Sequence, residues 1–215
     1  RIANALTDVG FGVLRFDFTG LGMSDGEFAN TDFTSNTDDL VAAAGWLRTN
    51  HRAPQVLIGH SLGGSAVLAV AGSIAEVRAV ATIGAPSSTE HVTRLFSPSL
   101  EQIESDGAAE VQLAGRTFTI RQQFVDDLRD HLVTDRVAAM RTALLVLHSP
   151  IDNTVGIDNA ADIFLAARHP KNFVSLDGAD GFQGHGACAL AGPFVGLLEE
   201  NSADEADVGD GMAGD

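Results

Sequence analysis

The stretch LIGHSLGGS, Leu57 to Ser65, most narrows what this chain can fold into. The apolar run 55–60 enters it and a nearly all-apolar run, 62–75, leaves it. The first reads as a buried strand and the second as a helix, so the chain must change from one to the other without a loop. Gly59-His60-Ser61-Leu62-Gly63 supplies the turn. A serine at the apex of so tight a strand-to-helix turn has a strained backbone, and the residues two before and two after it need to be glycine. The turn pushes the Ser61 hydroxyl out at the sheet edge. It also aims the Leu62 backbone amide, backed by the positive end of the helix, at the same point. That pairing of a hydroxyl and an amide makes Ser61 a candidate nucleophile and Leu62 a candidate oxyanion donor.

Strand and helix signals alternate on both sides of this turn. Residues 1–10 read as the end of an amphipathic helix, 12–18 as a short strand and 35–50 as a helix begun by a capping-box-like Ser35 and Asp38. Further strands are expected over 77–86, 142–149 and 172–176, and a helix over 157–168 with Asp158 as its N-cap. Such alternation means an α/β domain with a mostly parallel, doubly wound sheet covered by helices on both faces. Residues 87–141 break the rhythm. The segments 90–96 and 121–132 look helical, and 109–121 looks like a hairpin turning near Ala114–Gly115. An insertion at the carboxyl edge of a parallel sheet is where a lid over a pocket belongs. Phe16 and Trp46 are expected in the core.

Charge and composition exclude several classes of function. The formal net charge of −16 over 215 residues is opposite to what nucleic acid demands. No apolar run of 18 residues exists, so no membrane span is expected. One cysteine, Cys188, excludes an internal disulfide and a CxxC metal site, and fits a reducing compartment, here read as cytoplasmic. His51, His91, His131 and His169 stand apart without metal spacing. The glycine-rich run 20–26 lacks the G-K-[ST] of a phosphate loop. Neither a cofactor nor a metal is expected. Residues 181–215 carry seven acids, no base and eight glycines, and 199–215 read as a disordered acidic tail. The division expected is a core over 1–180, a lid within 87–141 and an atypical tail over 181–215.

With the turn, RFDFTGLGMSDGEF (15–28) and LHSPIDNTVGID (147–158) in view, the chain resembles the α/β-hydrolase superfamily of the serine esterase type. The resemblance runs from Arg1 to Asp180. More narrowly, GVLRFDFTGLGMSDGEF, IGHSLGG and LLVLHSPIDNTVGIDNA resemble the hydrolase half of bacterial proteins that fuse this domain to an OsmC-like domain. The superfamily order is nucleophile, acid, histidine. It implies Ser61 as nucleophile within an elbow of Gly59, His60 and Gly63, and Asp152, just past a strand, as the acid that orients an imidazole. Asp158 is set aside as a helix cap, His148 as structural, and His60 as a packing or polar-loop residue rather than a base.

The same resemblance implies a histidine directly after Gly178-Ala179-Asp180, where this chain has Gly181. His185, four residues on in GFQGHG, is the remaining candidate base. It also implies an earlier strand and oxyanion loop that would precede Arg1, so the family pattern reads as incomplete at both ends. Two functions stay open. One is a cofactor-independent serine hydrolase acting on a small acyl substrate, impaired as written. The other is a non-catalytic domain of the same fold that binds a small molecule or a partner such as an OsmC-like domain.

Overall fold

A computed structural model describes residues 2–88, 92–93, 96–113, 116–129 and 133–177. Four strands, β1 (Val56–His60), β2 (Ala79–Ile83), β5 (Ala143–His148) and β6 (Lys171–Ser175), form one sheet in the order β1-β2-β5-β6. Every pairing is parallel. The register sets His60 beside Ile83, and Ile83 beside Leu147. The carboxyl ends of the first three strands are therefore level.

Burial follows position in the sheet. Central β2 and β5 are buried at every residue, as their continuous apolar sequences require when both faces are covered. Edge strand β1 alternates, with Leu57 and Gly59 buried and Ile58 and His60 exposed. One face packs against α3 (Leu62–Val70), α6 (Val133–Ala139) and α7 (Asp158–Ala166), with Leu68, Val80, Leu144 and Ile163 in a common core. The other face joins Ala81, Ile83, Leu145 and Leu147 to Ile2 of α1 (Ile2–Asp8).

The expected insertion lies between β2 and β5. It contains α4 (Leu100–Asp106), the antiparallel pair β3 (Ala108–Leu113) and β4 (Arg116–Arg121), and α5 (Gln122–Arg129). Residues 114–115 and part of 90–96 lie outside the described residues. The insertion shares its core with the sheet, since Ile103, Val111, Ile120 and Val125 belong to the cluster of Leu68 and Leu144. Polar ties reinforce this. The Asp127 carboxylate accepts from the Thr34 amide at 2.8 Å and its hydroxyl at 2.6 Å. Gln123 donates to the Ala29 carbonyl at 3.2 Å.

Several local expectations need correction. Residues 12–18 form no strand. A run with strand-type alternation becomes a strand only where a neighbour completes its ladder, and the described sheet offers this run none. Phe16 is accordingly 43% exposed, and Trp46, on the outer side of α2 (Phe33–Asn50), is 50% exposed. The cap of α2 is Asp32 with Ser35, a reciprocal capping box, rather than Ser35 with Asp38. Asp158 is the first residue of α7 and not its N-cap, which is Ile157.

Asp32 satisfies the Ser35 amide at 2.7 Å and starts the helix that packs against α3. Asp32→Ala is expected to lower the unfolding free energy by about 1 kcal/mol. Urea denaturation monitored by circular dichroism reads that loss, and an unchanged midpoint would show the cap to be dispensable.

Candidate active site

Ser61 stands between β1 and α3 with φ 52° and ψ −129°, the one non-glycine residue of positive φ among those described. Such a backbone costs about 1–3 kcal/mol and persists only where neighbours over-determine it. Four hydrogen bonds do so. The Ser61 amide donates to the Ile83 carbonyl at 2.9 Å, continuing the β1–β2 ladder one residue beyond the strand. The Ser61 carbonyl accepts from the Gly64 and Ser65 amides at 2.8 and 3.3 Å, opening α3. The Ser65 hydroxyl donates to the Pro86 carbonyl at 2.7 Å, tying the helix to the loop after β2.

Close approach of backbone to backbone explains the glycines, with one change from expectation. A Cβ on Gly59 would sit 2.2 Å from the Gly63 carbonyl oxygen. A Cβ on Gly63 meets only the Phe18 ring at 3.8 Å, an ordinary contact. The second intolerant position is instead Gly64, where a Cβ would lie 2.6 Å from that of Ala85. Gly63 thus belongs to the motif without being forced by sterics, while Gly64 lets α3 settle on the β2 loop.

Leu62 is the first residue of α3. An amide at that position has no acceptor within its own helix, and it lies at the positive end of the helix dipole. It directly follows Ser61 in the chain.

Asp152 reaches the same edge from β5. The Gly84 amide donates to the Leu147 carbonyl at 2.9 Å, which joins the ends of β2 and β5. Gly84 has φ +54°, and its missing Cβ leaves the space beside Asp152 Oδ2, 3.3 Å from where that carbon would be. Asp152 Oδ1 accepts from the Thr154 and Val155 amides at 2.8 and 3.0 Å. One carboxylate oxygen is therefore held by its own loop, and the other faces Gly84, next in chain to the Ile83 that binds Ser61. Nearby, Ser87 donates through its amide and hydroxyl to Asn159 Oδ1 at 2.9 and 3.1 Å, fixing the β2 loop to α7.

His60 lies within electrostatic reach of Asp152. Crowding by protein atoms pushes its pKa below the ordinary 6.5, and the Asp152 charge pulls it partly back. His148 is fully buried, its Nε2 2.7 Å from the Val155 carbonyl. Gly181 and His185 lie outside the described residues. Among the described residues, no group of three His, Cys, Asp or Glu could hold a metal ion, and no helix is long and apolar enough to cross a membrane.

The crystal structure of the esterase domain of a Rhodothermus marinus protein aligns with a TM-score of 0.73 and 49% identity, over 92% of this chain and 77% of that one. The chain belongs to the α/β-hydrolase superfamily. Residues 1–105 match the family described as serine aminopeptidase, S33. Mouse alpha/beta hydrolase domain-containing protein 10 shares this α/β-hydrolase fold with a TM-score of 0.73, at 21% identity over 93% of this chain and 82% of its own. The rat palmitoyl-protein thioesterase ABHD10, mitochondrial, is 27% identical over 154 residues, 68% of this chain. The chain spans about half the length of that curated relative, 50%.

Sequence reading named Ser61, Leu62 and Asp152, and the fold brings all three to one sheet edge. It missed Gly64, Gly84 and Asn159. The doubled glycine of Ser61-Leu62-Gly63-Gly64 and the glycine directly after β2 were visible signals, but only the packing of α3 on the β2 loop shows their need.

Gly64→Ala is expected to destabilise the fold by about 1–3 kcal/mol through overpacking against Ala85, whereas Gly63→Ala stays within about 1 kcal/mol of the parent. Chemical denaturation of the two variants, side by side, distinguishes them.

His60 supplies a pH test. Its folded pKa is lowered, so the unfolded chain takes up the proton first as pH falls through about 6.5. Its contribution is complete above that value and declines below it. Relative to His60→Gln, the parent is expected to lose stability between pH 7 and pH 5. A stability difference flat across that range would contradict the assigned environment.

Proposed function

We propose that the chain is a serine hydrolase for small carboxylic esters or related acyl compounds, with Ser61 as nucleophile and Asp152 as the orienting acid. The observation that carries this reading is the left-handed Ser61 at the end of β1, with the Asp152 carboxylate directed to the same edge from β5. The Ser61 oxygen attacks the acyl carbon. Its proton passes to an imidazole and then to the departing alkoxide, leaving an acyl-enzyme. Water, deprotonated by the same imidazole, attacks that acyl carbon, and the carboxylic acid leaves as the Ser61 hydroxyl regains its proton. The Leu62 amide stabilises the oxyanion in both steps.

His185 is the candidate base of this sequence, and the insertion between β2 and β5 is the candidate cover for the acyl group. The esterase domain at 49% identity supports an ester substrate. The rat thioesterase makes long-chain acyl thioesters the first alternative substrate class to try. A single cysteine in 215 residues supports a reducing, cytoplasmic setting, and the narrower sequence resemblance supports a fused or partner OsmC-like domain.

A second reading rests on Gly181, which stands where the family pattern calls for histidine. Without an imidazole, Ser61 remains a weak nucleophile, and the domain would bind an acyl compound or a partner without turning it over.

Hydrolysis of p-nitrophenyl acetate and labelling by a fluorophosphonate probe separate the readings. The chain as given is expected to turn over barely above background. Gly181→His is expected to raise kcat by about 10²–10⁴-fold, the usual contribution of a positioned general base. Adding Ser61→Ala should erase that gain. Strong turnover by the unmodified chain, lost in His185→Ala, would identify His185 as the base. Turnover and labelling that persist in Ser61→Ala would overturn the assignment of the nucleophile.

A further inference from the structure

His148 is an odd residue to find in the middle of a core. It closes β5, the most deeply buried strand, and is 0% exposed. Its neighbours in the strand, Leu144, Leu145 and Leu147, are apolar and equally hidden. A leucine would fill the same space without a polar atom. Among the described residues the imidazole makes one hydrogen bond, 2.7 Å from Nε2 to the Val155 carbonyl, and its buried Nδ1 has no partner. A carbonyl can only accept, so Nε2 carries the proton and Nδ1 is left as an unused acceptor. Burying an unused acceptor is costly, and the bond on the other nitrogen is what the residue supplies in return.

That bond lands on a specific place. Val155 is 3% exposed and is gripped from two sides. Its carbonyl accepts from His148, and its amide donates to Asp152 Oδ1 at 3.0 Å. The Thr154 amide adds a second bond to the same oxygen at 2.8 Å. His148 is itself anchored, because it belongs to the ladder of β5 with β6 and its carbonyl accepts from the Leu176 amide at 2.9 Å. An unbroken path of hydrogen bonds therefore runs from the sheet through His148 and Val155 to one oxygen of Asp152. The other oxygen stays directed to Gly84 and the site.

We propose that His148 is a positioning residue that clamps the 149–155 loop through the Val155 carbonyl and so holds the Asp152 carboxylate in place. The inference takes from the proposed function only the role of Asp152, and its geometry can be tested whether or not the chain hydrolyses anything. His148 touches no reacting atom. It sets the distance of Asp152 from the sheet edge, which the bonds within the 149–155 loop do not set by themselves.

The first measurement uses the unaltered chain. Long-range ¹⁵N–¹H correlation should find His148 as the Nε2–H tautomer, and the Nδ1–H tautomer would overturn the clamp. The second is amide hydrogen exchange in His148→Leu and His148→Gln. In His148→Leu the Thr154 and Val155 amides should exchange about tenfold faster, the weight of one hydrogen bond, while those of β2 hold their rates. Glutamine can present an amide donor near the Nε2 position, and His148→Gln should recover most of the protection. Unchanged Thr154 and Val155 exchange in His148→Leu overturns the proposal. If the leucine variant does not fold, the tautomer and the glutamine variant still decide it. Where Ser61-dependent turnover is measurable, His148→Leu should lower kcat about tenfold with KM nearly unchanged. It should cost nothing further in an Asp152→Asn background, and an equal loss there would overturn the link to Asp152. Absence of any Ser61-dependent turnover counts against the proposed function alone, because the exchange result stands apart from it.

Discussion

The hydrogen bond from the Ser61 amide to the Ile83 carbonyl is the interaction on which the rest of this edge depends. It carries the β1–β2 ladder past the last residue of β1 and into a backbone conformation that a serine does not adopt freely. Because the ladder is parallel and in register, the strain is supported by neighbours rather than by the turn itself. The α3 helix then starts at Leu62 without a connecting loop. Close packing follows from the same constraint. Gly59 passes under Gly63, and Gly64 lies on Ala85, because the helix must fall back onto the sheet at once.

The acid side is built differently. Asp152 is on a loop, and loops do not hold a carboxylate by backbone regularity. Its position comes from side-chain bonds, inward to the Thr154 and Val155 amides and, through Val155, to His148 at the buried end of β5. The β2 loop between nucleophile and acid is pinned in turn by Ser65 to Pro86 and by Ser87 to Asn159. A rigid strand thus serves one half of the site and a braced loop the other. The two meet at Gly84, where a positive φ and the absence of a side chain leave the space beside Asp152.

The strand–turn–helix around Ser61 was legible because local sequence forces it. Apolar runs of strand and helix length flank a glycine-bounded serine, and few other structures satisfy that pattern. The hairpin within 108–121 was legible for a similar reason, since its alternation is local and its strands pair with each other. The run 12–18 has equally good strand residues yet forms no strand, because strand formation depends on a neighbour that propensity does not supply. Trp46 shows the matching limit for helices. Its type suggested the core, but helical position placed it on the outer side of α2. The cap of that helix shifted by three residues for a related reason, since Asp32 and Ser35 bond reciprocally and Asp38 falls inside the helix.

By itself, the sequence determined the fold class and the strand–turn–helix around Ser61, because both are encoded in local patterning. Only the tertiary structure decided which glycines are obligatory, since Gly63 and Gly64 look alike until the Ala85 side chain is beside one of them. Only it decided that the inner face of the insertion belongs to the main core and that a buried histidine bonds the Val155 carbonyl of the 149–155 loop. These are contacts between segments tens of residues apart. Their energies depend on distances of a few tenths of an ångström, which no local pattern in a chain can specify.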